Sequence, residues 1–301
     1  MSTLGPCPVV SGPAVPFTLL FDDDAAGGVA LPEPFRRAYA GDWVLPVPAD
    51  RPYTAINFVV SRDGRISYAE PGNIGGASVS EGSSADVWVM KLLRARCDAV
   101  LIGDGTVRAE SDHRWTVEYL GGADAAAFTW LRAAEGRAPV PLQAICSLTG
   151  AIERDWAVVA DDSFPLLVAT TTAGAEEARR RLAGRPNAEV VAFGDDRVDT
   201  ARLGAWLLAE RQIASLLCEG GPSLYGSMVA NGAVDDEFVT LAPILIGGIS
   251  SSGARRPSLV EGVGFAPGAS PRVEPVSLRR AGHHLLVRSR VTSAPPIAQS
   301  L

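Results

Sequence analysis

Residues 213–248 read IASLLCEGGPSLYGSMVANGAVDDEFVTLAPILIGG, and the fold class follows from how this stretch is parsed. Ile213 to Cys218 is a nearly unbroken apolar run, the pattern of a buried strand. Glu219-Gly220-Gly221 interrupts it. Pro222 then stands at a first helical position, where its missing N–H is not needed. Leu224, Met228 and Val229 mark an apolar helical face, and Asn231-Gly232 closes the helix with residues that tolerate a left-handed cap. Phe238 to Leu241 is a second strand, followed by Pro243 and Gly247-Gly248. Strand, glycine pair, helix and strand make a crossover unit of a mostly parallel sheet.

The same rhythm extends upstream. Leu166–Ala169, Ala188–Phe193 and Ile213–Cys218 read as strands, alternating with helices near 175–182 and 200–211. Ligands of such doubly wound sheets sit at strand carboxyl ends. Earlier, Tyr53–Val60 is a β-rich run turned by Ser61-Arg-Asp-Gly64, and Asp98–Ile102 is a strand running into Gly103-Asp-Gly-Thr106. Between them lies a glycine-rich loop, 72–82, that suits a cover over a cleft. Ser83 or Ser84 caps a helix whose core stripe is read as Val87, Met90 and Leu92 or Leu93. Residues 121–137 are expected to be helical and exposed, and most of Arg108–Trp115 solvated. Leu142–Cys146 is a strand, and Val273–Leu278 with His284–Val291 forms a hairpin that finishes the sheet as an antiparallel edge. Residues 1–50, rich in Pro, Gly and Asp, are expected to lie over the surface with one short helix in Pro32–Ala40. The domain boundaries expected are therefore 1–50 for this arm, 51–295 for one α/β domain and 296–301 for a tail.

Composition narrows the function. Nearly half of the 301 residues are apolar, enough for a large core, and the net charge of −7 disfavours a general nucleic-acid or membrane-surface binder. Cys7, Cys97, Cys146 and Cys218 lack metal-like spacing, and His113 is far from His283 and His284, so no metal site is expected. No basic-then-apolar leader or membrane-length apolar run is seen, and a soluble cytoplasmic protein is expected.

The chemistry lies in the turns. Two residues without Cβ at a strand end let a ligand touch bare main chain, and the helix behind offers unpaired N–H groups and partial positive charge, which suits a pyrophosphate. Gly220-Gly221 taken alone also fits a tight strand-to-helix turn. Gly103-x-Gly105-Thr106 is a second such turn, lacking the third glycine of the usual dinucleotide fingerprint. Two of them at strand ends can frame one ligand. Asp63 reads either as turn chemistry, its carboxylate accepting a backbone N–H, or as an active-site acid. Thr170-Thr-Thr172 reads either as a helix cap or as a hydroxyl cluster for an adenine nucleotide's 2′-phosphate.

With these residues in place, the chain resembles the reductase domain of the riboflavin pathway, the C-terminal half of the bacterial bifunctional deaminase-reductase. The matching segments are RPYTAINFVVSRDGRI (51–66), LRARCDAVLIGDGTVRAE (93–110) and LLCEGGPSLYGSMVANGAVDDEFVTLAPILIGG (216–248). The resemblance implies a dihydrofolate-reductase-like fold with helices on both faces of the sheet. It also implies NADPH on Gly103, Gly105, Thr106, Gly220, Gly221, Pro222 and Ser223, with Thr170 and Thr171 near the adenosine. Asp63 and Glu219 are implied as catalytic groups, and Asn57, Ser61, Asp63, Arg108, Glu110 and Glu219 as substrate contacts. Hydride would pass from the nicotinamide to C1′ of an opened ribosylamino-pyrimidine, and the working unit would be a homodimer. A dihydrofolate-type pterin reductase and a catalytically silent NADPH-binding protein are the alternatives.

Two departures fall on the substrate side. Asn57 stands where riboflavin-pathway members often carry lysine, and Glu110-Ser111 replaces an aspartate, with an insertion before Trp115-Thr-Val117. Arg108, His113 and Arg114 are the residues available to compensate.

Overall fold

The structure, a computed structural model, describes residues 4–47 and 49–292; the tail assigned to 296–301 and the domain's last residues, 293–295, lie outside the described residues. The first half of the chain holds β1 (Thr18–Asp22), α1 (Glu33–Tyr39), β2 (Tyr53–Val60), α2 (Ser84–Arg96), β3 (Ala99–Gly103), α3 (Asp104–Ala109), α4 (Val117–Leu120), α5 (Ala125–Ala134) and β4 (Leu142–Ser147). The second half holds α6 (Ala157–Ala160), β5 (Leu166–Thr170), α7 (Thr172–Arg181), β6 (Ala188–Ala192), α8 (Thr200–Arg211) and β7 (Ser215–Cys218). It ends with α9 (Pro222–Ala230), β8 (Asp236–Leu241), β9 (Arg272–Ala281) and β10 (His284–Thr292).

All ten strands form one sheet, ordered β1-β9-β10-β8-β2-β7-β3-β4-β5-β6. From β8 to β6 every neighbouring pair is parallel. β10, β9 and β1 add on antiparallel. β7 and β8 both pair with β2, so the crossover through α9 passes over that central strand. Helices cover both faces, which is why β2 is apolar at nearly every position. Its Tyr53 and Ala55 enter one core cluster, whereas Ile56, Phe58 and Val60 enter the other.

Local signals account for the element starts. The Ser83 hydroxyl caps α2 by accepting the Asp86 N–H at 3.4 Å. Asp199 caps α8, accepting from the N–H groups of Ala201 and Arg202 at 3.0 Å. α9 begins on Pro222.

Four expectations change. The core face of α2 is Ala85, Trp88, Val89 and Leu92, while Val87 and Met90 are only half-buried. Periodicity alone could not tell the two stripes apart, because both are apolar. α5 is not an exposed helix, since Ala127, Phe128, Leu131 and Arg132 are buried against α2. Arg132 also donates to the carbonyls of Arg94 at 2.6 Å and Cys97 at 2.8 Å, tying off the end of α2. The antiparallel edge made by the β9–β10 hairpin is present as expected, but β1, not anticipated, pairs outside it as the last strand.

The fourth change concerns the N-terminal segment, which enters the core as well as crossing the surface. Phe17, Phe35, Tyr39 and Trp43 are buried, and Trp88 lies 5.6 Å from Phe17, 6.1 Å from Tyr39 and 5.2 Å from Phe128 between ring centroids. Its acids are satisfied too: Asp22 meets Arg279 at 3.1 Å, and Asp24 meets Arg288 at 2.7 Å and Arg290 at 3.3 Å. Composition hid this, since the few aromatics are spaced among Pro, Gly and Asp. Trp88→Ala should therefore destabilise the protein by about 3–5 kcal/mol in urea denaturation. A loss below about 1 kcal/mol would show that the aromatic cluster does not hold this segment to the domain.

Candidate active site

The residues singled out above follow strands that end on the same side of the sheet: Ser61 and Asp63 after β2, Gly103 on β3, Thr170 on β5, and Glu219 after β7. β3 and β7 are neighbours, and the two glycine turns touch. Gly103 donates its N–H to the Gly220 carbonyl at 2.8 Å. A Cβ on Gly103 would come within 3.2 Å of the Gly221 nitrogen, and Cβ atoms on Gly220 and Gly221 would come within 3.1 and 3.2 Å of Thr106 Oγ1. Gly220 also has φ +125°, a conformation that side chains disfavour. Gly105 faces open space in the first turn of α3, and Ser223 is exposed in the first turn of α9. This bare main chain, open on its outer side and backed by the N-terminus of α9, fits the diphosphate of a dinucleotide.

The three threonines fare differently. Thr170 is fully buried, its hydroxyl without a hydrogen-bond partner and its side chain against Gly174. Thr171 caps α7, accepting from the Gly174 N–H at 2.9 Å and donating to the Leu148 carbonyl at 2.8 Å. Thr172 alone faces outward, and it donates to Asp195 at 2.9 Å. The cluster is therefore chiefly a helix start, and its outer member meets an acid.

Asp63 makes the contacts of the turn reading. Its carboxylate accepts from the Ser61 hydroxyl at 2.7 Å and from the N–H groups of Ile246 at 3.1 Å and Gly247 at 2.7 Å. Partial burial pushes its pKa up, but these donors outweigh it and leave the pKa below the usual value. A carboxylate held by three donors ties the β2 turn to the loop after β8 and is poorly suited to donate a proton. Ser61 is buried and belongs to the same turn. Arg108 is exposed, with its guanidinium 5.7 Å from the Trp156 ring.

The site's buried polar centre includes two residues assigned no role above. Arg94 of α2 meets Glu219 with two parallel bonds, Nε to Oε1 at 2.7 Å and Nη2 to Oε2 at 2.6 Å. The side chains are 1% and 7% exposed, so this is an interior ion pair. Arg94 Nη1 donates to the Thr116 carbonyl at 3.0 Å, and Nη2 lies 3.0 Å from His113 Nε2. His113 Nδ1 in turn lies 3.3 Å from Glu110 Oε2. Burial, reinforced by Arg94, pushes the His113 pKa down to about 3. Burial and the Glu219 charge push the Glu110 carboxyl above its ordinary value, against the opposing effect of Arg94. Asp86, one turn into α2, is buried as well, and its pKa is raised chiefly by that burial.

Asp86, Met90 and Arg94 recur every fourth residue, a stripe with a buried charge at each end beside the apolar one. A buried arginine within an apolar helix demands a buried acceptor, and that was the signal available in the sequence. Asn57 alternates with Ala55 and Val59 on β2 and so lies on the sheet face that α2 covers. The 72–82 loop closes over this region: Gly76 packs on Val59, and Gly75 lies against Glu110 Oε1 with no room for a Cβ. Arg108–Trp115 is thus not a solvated charge run, with Trp115 buried and Glu110 and His113 inside the site.

The RibD C-terminal domain family model matches residues 52–287. The chain is 30% identical over 215 residues to the 2,5-diamino-6-ribosylamino-4(3H)-pyrimidinone 5′-phosphate reductase of Archaeoglobus fulgidus, spanning 71% of this chain and 89% of that one. It is 31% identical to the reductase of the same name from Methanothermobacter thermautotrophicus, over 71% of this chain and 86% of that one. Among solved structures, a pyrimidine reductase-like protein from Corynebacterium diphtheriae superposes with a TM-score of 0.63 at 18% identity, covering 81% of this chain and 93% of that one. The fold is that of the RibD reductase domains, with the antiparallel strands at one side of the sheet. The chain belongs to the RibD C-terminal domain family.

Proposed function

We propose that this protein is an NADPH-dependent reductase of a ribosylamino-pyrimidine of the riboflavin pathway. One observation carries the reading: two glycine-bearing turns touch at the ends of β3 and β7, directly beside the buried Arg94–Glu219 pair. Gly103, Gly105, Thr106, Gly220, Gly221 and the first turn of α9 at Pro222 and Ser223 would hold the dinucleotide. When bound, it supplies a hydride for an electrophilic carbon. Glu219, Glu110 and Asn57 would face the heterocycle and its ribosyl group, under the 72–82 loop. Thr170 and Thr171 shape the β5 end from within, and Asp63 with Ser61 fixes the loops beside the substrate. The named relatives support the substrate class, since two of them act on a ribosylamino-pyrimidinone phosphate by name. The family resemblance supports a homodimer and a cytoplasmic location; among the described residues no helix is long and apolar enough to cross a membrane.

The reading is tested by following NADPH oxidation with the ribosylamino-pyrimidine phosphate and, separately, with dihydrofolate. Turnover with the pyrimidine alone is expected. Turnover with dihydrofolate alone would move the protein to pterin reduction, and tight NADPH binding without either would make it a binding protein.

Gly221→Asp should weaken NADPH binding by about tenfold or more, because it places like charge and bulk at the diphosphate. Unchanged affinity in a folded variant would put the cofactor elsewhere.

Asp63 gives a pH test. Its pKa is lowered on folding, so its contribution to stability is complete above the unfolded value of about 3.9 and is lost as pH falls through the lower folded value. Asp63→Asn should lower the Tm at neutral pH, and the difference from wild type should shrink below about pH 4. A fall in kcat with the Tm unchanged would return this carboxylate to the chemistry.

A further inference from the structure

Two carboxyl groups, Glu219 and Glu110, lie on either side of one guanidinium, and the donors run outward from Arg94, directly to Glu219 and through His113 towards Glu110. Arginine only donates hydrogen bonds, so His113 Nε2, 3.0 Å from Arg94 Nη2, must accept. A neutral imidazole that accepts at Nε2 carries its proton on Nδ1, and that atom faces Glu110 Oε2 at 3.3 Å. The ring is fixed from both sides, 4.7 Å from Trp115 and 4.3 Å from Tyr119 between centroids. Glu110 Oε1 is left facing Gly75 of the covering loop. The Nδ1 contact is the loosest link, as expected of a site that tightens on substrate.

We propose that Arg94 and His113 are positioning residues that hold the two acids in different roles, Glu219 as an acceptor-only carboxylate and Glu110 as the proton donor through Oε1. This rests on the ribosylamino-pyrimidine reading above. In that reaction the C1′–O4′ bond breaks with its electron pair going to O4′, which takes the Glu110 proton. The nitrogen lone pair closes a C1′=N bond. When bound, the reduced nicotinamide would supply the hydride that C1′ takes up as the π electrons return to nitrogen. Glu110 regains a proton from solvent, so the balance is one hydride and one proton. Glu219, held by Arg94, keeps a negative charge near the cationic imine carbon. Burial and the Glu219 charge both hold Glu110 toward its neutral form, which serves a donor.

The charged and titratable groups facing this pair are Arg94 and Asp86 of α2, His113 of the turn after α3, and the buried thiols Cys97 and Cys218 near Glu219. Both thiols are pushed up to about 12 by burial, so they stay neutral through the range of interest.

The test uses nitrogen-15 NMR of His113, carboxyl carbon-13 NMR of Glu110 and the pH profile of kcat, in wild type, His113→Phe and His113→Gln. In wild type the imidazole should show the Nδ1–H tautomer, and Glu110 should titrate above the ordinary glutamate range. His113→Phe keeps the ring stacking but removes the donor. The Glu110 titration and the alkaline limb of kcat should move to higher pH, with kcat falling about tenfold or more and KM for NADPH unchanged. Glutamine can accept from Arg94 and donate to Glu110, so His113→Gln should restore the profile, which a purely structural role does not predict. An Nε2–H tautomer, ordinary titration of Glu110, or a Phe variant with the wild-type profile would overturn the proposal. Failure of wild type to turn over the pyrimidine removes the reading of function and the O4′ step together, while the NMR titrations still decide the hydrogen-bond chain.

Discussion

The amide of Gly103 reaches the carbonyl of Gly220 at 2.8 Å, and the two turns pack so closely that a Cβ on either would sit tighter than ordinary contact. Most of the site's geometry hangs on that approach. It brings the end of β3 against the end of β7, aims Thr106 Oγ1 at Gly220 and Gly221, and leaves an outward surface of main chain. It also determines where Glu219 stands, one residue before the glycine pair. A Cβ at Gly103 or Gly220 would make neighbouring atoms give by a few tenths of an ångström, and at Gly220 it would also meet a positive φ.

The interior ion pair supplies the complement. Burying a carboxylate and a guanidinium is costly, and well-packed apolar residues would often serve stability as well. What Arg94 adds is direction. Its planar fork accommodates one orientation of Glu219, and the remaining donors fix the Thr116 carbonyl and His113. Arg132 donates to carbonyls at the end of α2 and ties off that helix. The loops after β2 and β8 are tied in the same manner, Asp63 to the Ile246 and Gly247 amides and Arg256 to Glu70 at 3.1 Å. The site is therefore framed by loops locked through charged hydrogen bonds, above a sheet packed on both faces.

Much of the fold was legible because its signals are local. Tyr53–Val60 and Thr200–Arg211 appear where the pattern places them, and Ser83 caps its helix. The misreadings share one cause. Whether Val87 or Trp88 faces the core, whether α5 is exposed, and whether the N-terminal aromatics are buried all depend on partners distant in sequence. For the site, the glycine turns were legible and do meet. Asp63 was ambiguous because a turn carboxylate and a catalytic one look alike until their donors are located.

The residues themselves determined most of the strands, the glycine-bearing turns and the parallel character of most of the sheet, since apolar runs of strand length and Gly or Pro breaks act over a few positions. The family likewise rests on segments readable in order. Only the tertiary structure decided that Arg94 meets Glu219, 125 positions away, and that Glu110 and His113 join them. A charge inside an apolar helix announces that it needs a partner, but which acid answers is settled by the crossovers that bring α2 and the end of β7 onto the same face of the sheet.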